Sequence, residues 1–210
     1  MKDEFRKKIK ETVKENLAKT KEESKIICIK ILNSPLYQTS DTLLSYMSLP
    51  SEVDLSQVTQ DALQKEKKVY VPKVYPSETF PLMKFHQIKN LEQTKVGKYG
   101  ILEPKEDAKI FTLENFSKVN STSSNILILV PALALTKDGR RLGKGKGYYD
   151  YFLSKLKETF SNELSNYVQK KCRVFVAGVC FSFQLLDTLP TQKHDIKMDY
   201  IFSPYFTSEE

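Results

Sequence analysis

NILILV at residues 125–130, followed after Pro131 and a short connection by RLGKGKGYYD at residues 141–150, is the stretch on which the fold turns. An almost purely apolar run closed by a proline suits a strand covered on both faces. Beyond the glycines, residues 148–160 place Tyr149, Phe152, Leu153, Leu156 and Phe160 on one helical stripe. The glycine loop therefore leaves a buried strand and opens a helix.

Outward from this unit the same alternation continues. Residues 173–181 (RVFVAGVCF) read as a second buried strand, and residues 200–202 as a last short one. Upstream, residues 42–47 (TLLSYM) suit a strand, SLPSEVD a polar turn, residues 55–65 a helix and residues 68–72 another strand. PLMKFHQI at residues 81–88 alternates as a strand, whereas residues 97–104 (GKYGILEP) and the segment before Asn125 read as loop. In residues 2–32, Phe5, Ile9, Val13 and Leu17, then Ile26, Ile27, Ile31 and Leu32, recur at helical spacing on either side of a break at Thr20. That pattern is two helices, or one that bends. Alternating strands and helices predict an α/β fold: a mostly parallel, Rossmann-like sheet with helices on both faces, forming one three-layer domain over residues 1–210.

Composition narrows the class. A chain of 210 residues with 40% hydrophobic and 28% charged content is ordinary globular material. No segment approaches the roughly 18 consecutive apolar residues of a membrane span, and MKDEFRKKIK at the start has no signal-peptide core, so a cytoplasmic protein is expected. Cys28, Cys172 and Cys180 are odd in number and lack CxxC spacing, which indicates neither a disulfide framework nor a zinc knuckle. The net charge of +7 comes from lysines interleaved with glutamates, as in KDEFRKKIKETVKENLAKTKEE, the pattern of a solvated helix face; nucleic acid is not an expected partner. His86 and His194 are the only histidines, and nothing around either marks a general base.

Four of the seven glycines, Gly139, Gly143, Gly145 and Gly147, fall within nine residues. Alternating glycines let a loop curl and turn successive N–H groups toward an anion, and a helix N-terminus adds unpaired donors at its positive end. Arg140, Arg141, Lys144 and Lys146 add four cations in seven residues, opposed locally by Asp138. Phosphate is the natural ligand. The spacing is neither GxxxxGK[ST] nor GxGxxG, so neither generic phosphate motif applies.

The segment does resemble the signature of the 5-formyltetrahydrofolate cyclo-ligase family, RLGxGxGYYD after an apolar strand, through Arg141, Leu142, Gly143, Gly145, Gly147, Tyr148, Tyr149 and Asp150. The likeness extends to the basic first helix with Lys2 and Arg6, to SYMSLPSEVD with Glu52, to KKVYVPKV, to Gln184, and to PTQKHDIKMD with Asp195 and Asp199. Residues 111–124 and 161–171 have no counterpart.

The resemblance implies conversion of 5-formyltetrahydrofolate to 5,10-methenyltetrahydrofolate with ATP as co-substrate, Mg²⁺ as cofactor, and ADP and phosphate released. It implies nucleotide contacts from Lys2, Arg6 and the run Arg141, Leu142, Gly143, Lys144, Gly145, Lys146, Gly147, Tyr148 and Tyr149. Folate contacts fall on Met47, Glu52 and Tyr99, and also on Lys144, Gly145, Lys146, Gly147 and Tyr148. Lys144, Lys146 and Tyr148 are implied to be catalytic. Asp150 and Asp195 are implied to hold the metal, with Asp199 the alternative that local spacing leaves open. Lys144 departs mildly from the family pattern, where Arg is frequent; Lys keeps the charge but not the two-pronged grip. The partners expected are small molecules, folates with acidic polyglutamate tails among them, and the enzyme is expected to be a monomer without membrane or nucleic-acid contacts.

Overall fold

Strand β6 (Ser124–Pro131) lies near the middle of a six-stranded sheet of order β11-β9-β6-β1-β2-β3 in the computed structural model, which describes residues 2–97, 102–105, 108–112, 124–161, 172–190, 192 and 195–208. The other strands of this sheet are β1 (Thr42–Leu44), β2 (Lys68–Val74), β3 (Met83–Ile88), β9 (Cys172–Val179) and β11 (Tyr200–Phe202). All pairings are parallel except the β2–β3 edge.

The apolar run of β6 has a direct explanation in its two neighbouring layers. Leu127 and Leu129 face the cluster built by Ile27, Cys28 and Ile31 of α2 (Leu17–Asn33) with Val58 and Ala62 of α4 (Ser56–Gln64). Ile126, Ile128 and Val130 face the opposite cluster, with Leu153 and Leu156 of α5 (Tyr148–Ser161). Side chains alternate across a strand, so a strand covered on both sides needs apolar residues at every position. Helices on both faces of a mostly parallel sheet are the arrangement the sequence predicted.

Several boundaries differ. The break in the N-terminal helices is at Asn16, between α1 (Lys2–Glu15) and α2, not at Thr20. Asn16 turns its amide onto the Thr12 carbonyl at 2.9 Å and so competes with the helix backbone, whereas Thr20 returns its hydroxyl to the Leu17 carbonyl at 2.8 Å and stays helical. β1 is only three residues long rather than reaching Met47. β2 runs through Pro72, because the Tyr75 N–H bond to the Leu82 carbonyl sets a phase in which the Pro72 nitrogen faces away from β3, past the end of β1. Within the stretch expected to be loop, β5 (Leu102–Pro104) pairs with β4 (Thr94–Val96).

A second, three-stranded sheet was not foreseen: β10 (Leu185–Leu186), β7 (Ala134–Thr136) and β8 (Arg141–Leu142). It takes the first two residues of the glycine motif into a strand. Ile9 and Val13 of α1 pack with Leu133, Ala134, Leu142 and Leu189 beside it. That contact brings the start of α1 to the glycine loop. A four-residue helix, α3 (Pro35–Gln38), leads into β1.

Candidate active site

Connections from β1 run through α4 to β2 on one side, and those from β6 run through α5 to β9 on the other. The adjacent pair β1 and β6 is therefore the switch point of the sheet, where the loops beyond the carboxyl ends diverge and leave a crevice. A cleft of about 1020 Å³ opens there. Tyr46, Met47, Leu49 and Glu52 follow β1, Pro131, Ala132 and Leu133 close β6, and residues 141–151 border it from the glycine loop and α5.

The loop is held by its own first residue. Arg141, with a side chain only 4% exposed, donates from Nη2 to Asp150 Oδ1 at 2.9 Å and from Nη1 to the Pro131 carbonyl at 3.3 Å, and its guanidinium lies 5.8 Å from the Tyr149 ring centroid. One side chain thus joins the end of β6, the loop and the first turn of α5. Gly145 and Gly147 adopt φ values of +91° and +71°, a region that side chains with a Cβ rarely enter. They turn the chain into α5, whose first N–H groups have no partner within the helix.

Cations surround the turn, and besides Arg141 three more of them meet carboxylates. Lys2 Nζ contacts both oxygens of Asp195 at 2.8 Å and Gln192 Oε1 at 3.1 Å. Arg6, one turn further along α1, donates from Nε to the Gly143 carbonyl at 3.1 Å and from Nη1 to Asp3 at 2.6 Å. Lys144 Nζ lies 2.6 Å from Glu52 Oε1, while Glu52 Oε2 accepts the Leu49 N–H at 2.9 Å. Lys146 is exposed on the cleft.

The facing wall is largely apolar: Met47 and Leu49, Pro72 and Val74 of β2, Met83 of β3. Tyr151 stacks on Phe80 with ring centroids 4.9 Å apart. Tyr46, at the end of this wall next to Met47, is buried and donates to the Val53 carbonyl at 2.9 Å. Among the described residues the buried Tyr149 hydroxyl has no hydrogen-bond partner; burial and then the Glu52 charge push its pKa far upward, so it remains protonated.

The structure gathers Lys2, Arg6, Met47, Glu52, Arg141, Leu142, Gly143, Lys144, Gly145, Lys146, Gly147, Tyr148, Tyr149, Asp150 and Asp195 around one cleft. Tyr99 lies outside the described residues, as does His194. Asp199 does not border the cleft: its Oδ2 accepts the Val176 N–H at 3.0 Å and its own N–H donates to the Val176 carbonyl at 2.8 Å, which fixes it to β9. Gln184 is buried, with Oε1 accepting the Phe181 N–H at 2.9 Å. Sequence reasoning missed Leu49, Pro72, Val74, Met83, Tyr151 and Gln192. None of them carries a chemical signature: Leu49 and Gln192 lie in loops, Pro72, Val74 and Met83 on two strands, and Tyr151 on a helix face.

His86 is away from the cleft, buried on β3. Its Nδ1 donates to the Ala108 carbonyl at 3.0 Å, which leaves Nε2 to accept the Tyr75 hydroxyl at 2.7 Å. Burial lowers its pKa below the usual 6.5. Among the described residues no three His, Cys, Asp or Glu side chains form a metal cage, and no helix is long and apolar enough to cross a membrane.

Comparison with known proteins points to one family. A probable 5-formyltetrahydrofolate cyclo-ligase of Schizosaccharomyces pombe is 30% identical over 183 residues, covering 85% of this chain and 82% of the relative. The mitochondrial 5-formyltetrahydrofolate cyclo-ligase of Arabidopsis thaliana is 28% identical, covering 83% of this chain and 63% of that protein. The solved structure of Aquifex aeolicus 5,10-methenyltetrahydrofolate synthetase superposes with a TM-score of 0.67 at 24% identity, over 98% of this chain and 91% of that one. The model of the 5-formyltetrahydrofolate cyclo-ligase family matches residues 1–204, and the chain belongs to that family.

Proposed function

We propose that this chain closes 5-formyltetrahydrofolate to 5,10-methenyltetrahydrofolate at the expense of ATP, with the cleft between β1 and β6 as the site. The observation that carries the reading is the pairing of unlike walls: a glycine turn ringed by Lys2, Arg6, Arg141, Lys144 and Lys146 on one side, and a largely apolar wall with Glu52 at its edge on the other. The first suits a triphosphate, and the second a flat ring with a donor edge.

A formyl amide oxygen is a poor leaving group. Transfer of the γ-phosphoryl to that oxygen forms an O–P bond, breaks the bond to ADP and makes the oxygen a phosphate ester. The neighbouring folate nitrogen then attacks the formyl carbon and loses its proton, the C–O bond breaks, and phosphate leaves. Phosphoryl transfer of this kind requires in-line placement and neutralisation of charge rather than a protein nucleophile. Lys144, Lys146 and the Tyr148 end of α5 are assigned to the phosphoryl oxygens, Arg141 to the shape of the loop, and Lys2 and Arg6 to the nucleotide from α1. Met47 and Glu52 are assigned to the folate, with Glu52 accepting from the pterin's donor edge; Tyr99 is kept as a folate contact from the family pattern.

Asp150 and Asp195 fit a Mg²⁺ ion as hard oxygen donors on the cleft, and the lack of a three-ligand cage among the described residues suits a cation that completes its shell with phosphate and water. Bound there, Mg²⁺ would neutralise phosphate charge. Asp195 now holds Lys2, so its use as a ligand requires that ammonium to move to the phosphates. On this reading the enzyme is a single-domain cytoplasmic monomer acting on small molecules, and its positive net charge attracts ATP and polyglutamate tails. The test is folate dependence: ATP consumption requires 5-formyltetrahydrofolate and yields the near-ultraviolet absorbance of the methenyl product. ATP turnover indifferent to folate sinks the reading.

A further inference from the structure

The ion pair between Lys144 and Glu52 joins side chains that the proposed function gives to different substrates. Lys144 belongs to the loop assigned to phosphate, Glu52 to the segment after β1 assigned to the pterin, yet their charged atoms meet at 2.6 Å with side chains 35% and 10% exposed. The Glu52 carboxylate is anchored on its other oxygen by the Leu49 N–H at 2.9 Å. Lys144 sits on the glycine turn next to Gly145 on a flexible stem, and among the described residues Glu52 is the group its ammonium meets. The mobile partner of the pair is the lysine.

We propose that this pair couples the two substrate subsites. A triphosphate carries more negative charge than one carboxylate and lies against the same turn, so it takes Lys144 from Glu52. Glu52, held by Leu49, stays in place with one oxygen released. A carboxylate only 10% exposed that has lost its cation is poorly compensated, and N–H donors on the ring of the folate restore that compensation. Nucleotide binding thus prepares the folate subsite. Because coupling between two binding sites is reciprocal, folate engaging Glu52 equally releases Lys144 for phosphate.

The inference rests on the proposed function, and binding measurements without turnover separate the two. Titration calorimetry is run on the full chain with a non-hydrolysable ATP analogue plus Mg²⁺, with 5-formyltetrahydrofolate, and with each ligand in the presence of the other. In the native protein each ligand is expected to tighten the other roughly fivefold. Glu52→Gln retains an oxygen for the Leu49 N–H but gives up the charge that holds Lys144; its affinity for the nucleotide analogue alone is expected to rise by a similar factor, and the mutual effect to fall to about one. A mere contact role for Glu52 in folate binding would leave nucleotide affinity unmoved. Lys144→Met, a change at an exposed position, is expected to make folate affinity insensitive to the analogue. Two ligands that bind independently in the native protein, or an analogue affinity equal or weaker in Glu52→Gln, overturn the coupling while leaving the proposed function standing. A native protein that binds neither ligand overturns both.

Discussion

The two walls of the cleft are made in opposite ways. The cationic wall is nearly continuous in sequence, residues 141–150 with α1 laid against it, and one buried guanidinium, that of Arg141, ties strand end, loop and helix start together. The apolar wall is assembled from the segment after β1 and, beyond α4, from the antiparallel pair β2 and β3. Recognition of phosphate depends on local backbone N–H groups and fixed charges, so a short motif can encode it. A surface for a flat ring depends on which distant side chains the sheet brings level.

The walls should therefore fail differently. The largest effect is expected at the cationic wall, where Asp150→Ala or Asp195→Ala lowers kcat on the order of 10²- to 10³-fold at ordinary Mg²⁺ concentrations. Asp150→Ala also leaves Arg141 without its carboxylate at 4% exposure, so its urea midpoint drops, while that of Asp195→Ala stays close to the parent. Steady-state rates and equilibrium unfolding check both halves, and unchanged rates in both variants remove the metal assignment.

At the apolar wall Met47→Ala is expected to raise the KM for folate roughly tenfold with kcat nearly constant, the signature of binding shared by ground and transition states. An equal fall in kcat would mean that this wall senses the transition state and that the contrast is wrong. Gly147→Ala probes the turn. The nearest atom to the added Cβ is Pro81 Cγ at 3.4 Å, so space is available, and the cost is the left-handed backbone at φ +71°, about 1–2 kcal/mol, readable as a lower Tm.

The smallest effect is expected behind the apolar wall, at His86. Its pKa is lowered in the fold by burial, so the unfolded chain takes up a proton before the native state does. Stability from this group is fully present above the unfolded value of 6.5 and is lost as pH falls from there through the lower native value. His86→Gln should flatten that part of the stability profile and leave the KM values at pH 8 unchanged.

Legibility followed the same division. Residues 125–130 announced a buried strand because burial on both faces forces an unbroken apolar run, and α5 announced itself because only one stripe of it is covered. Asn16 and Thr20 are both weak helix formers, and which one breaks the helix depended on where each side chain found its hydrogen bond. Pro72 looked like a strand end; it is tolerated because β1 has already stopped. β7, β8 and β10 are two or three residues long, too short to show a period.

From the sequence alone came an α/β sheet, the phosphate-suited turn at residues 141–150 and the family likeness, since each rests on local periodicity, glycine backbone freedom or a contiguous motif. Tertiary structure alone decided that Asp195 borders the cleft while Asp199 clamps β9, that α1 delivers Lys2 and Arg6 to the loop, and that Lys144 closes on Glu52. These are meetings between residues far apart in the chain, and only the register of the sheet and the packing of α1 on the small second sheet determine them.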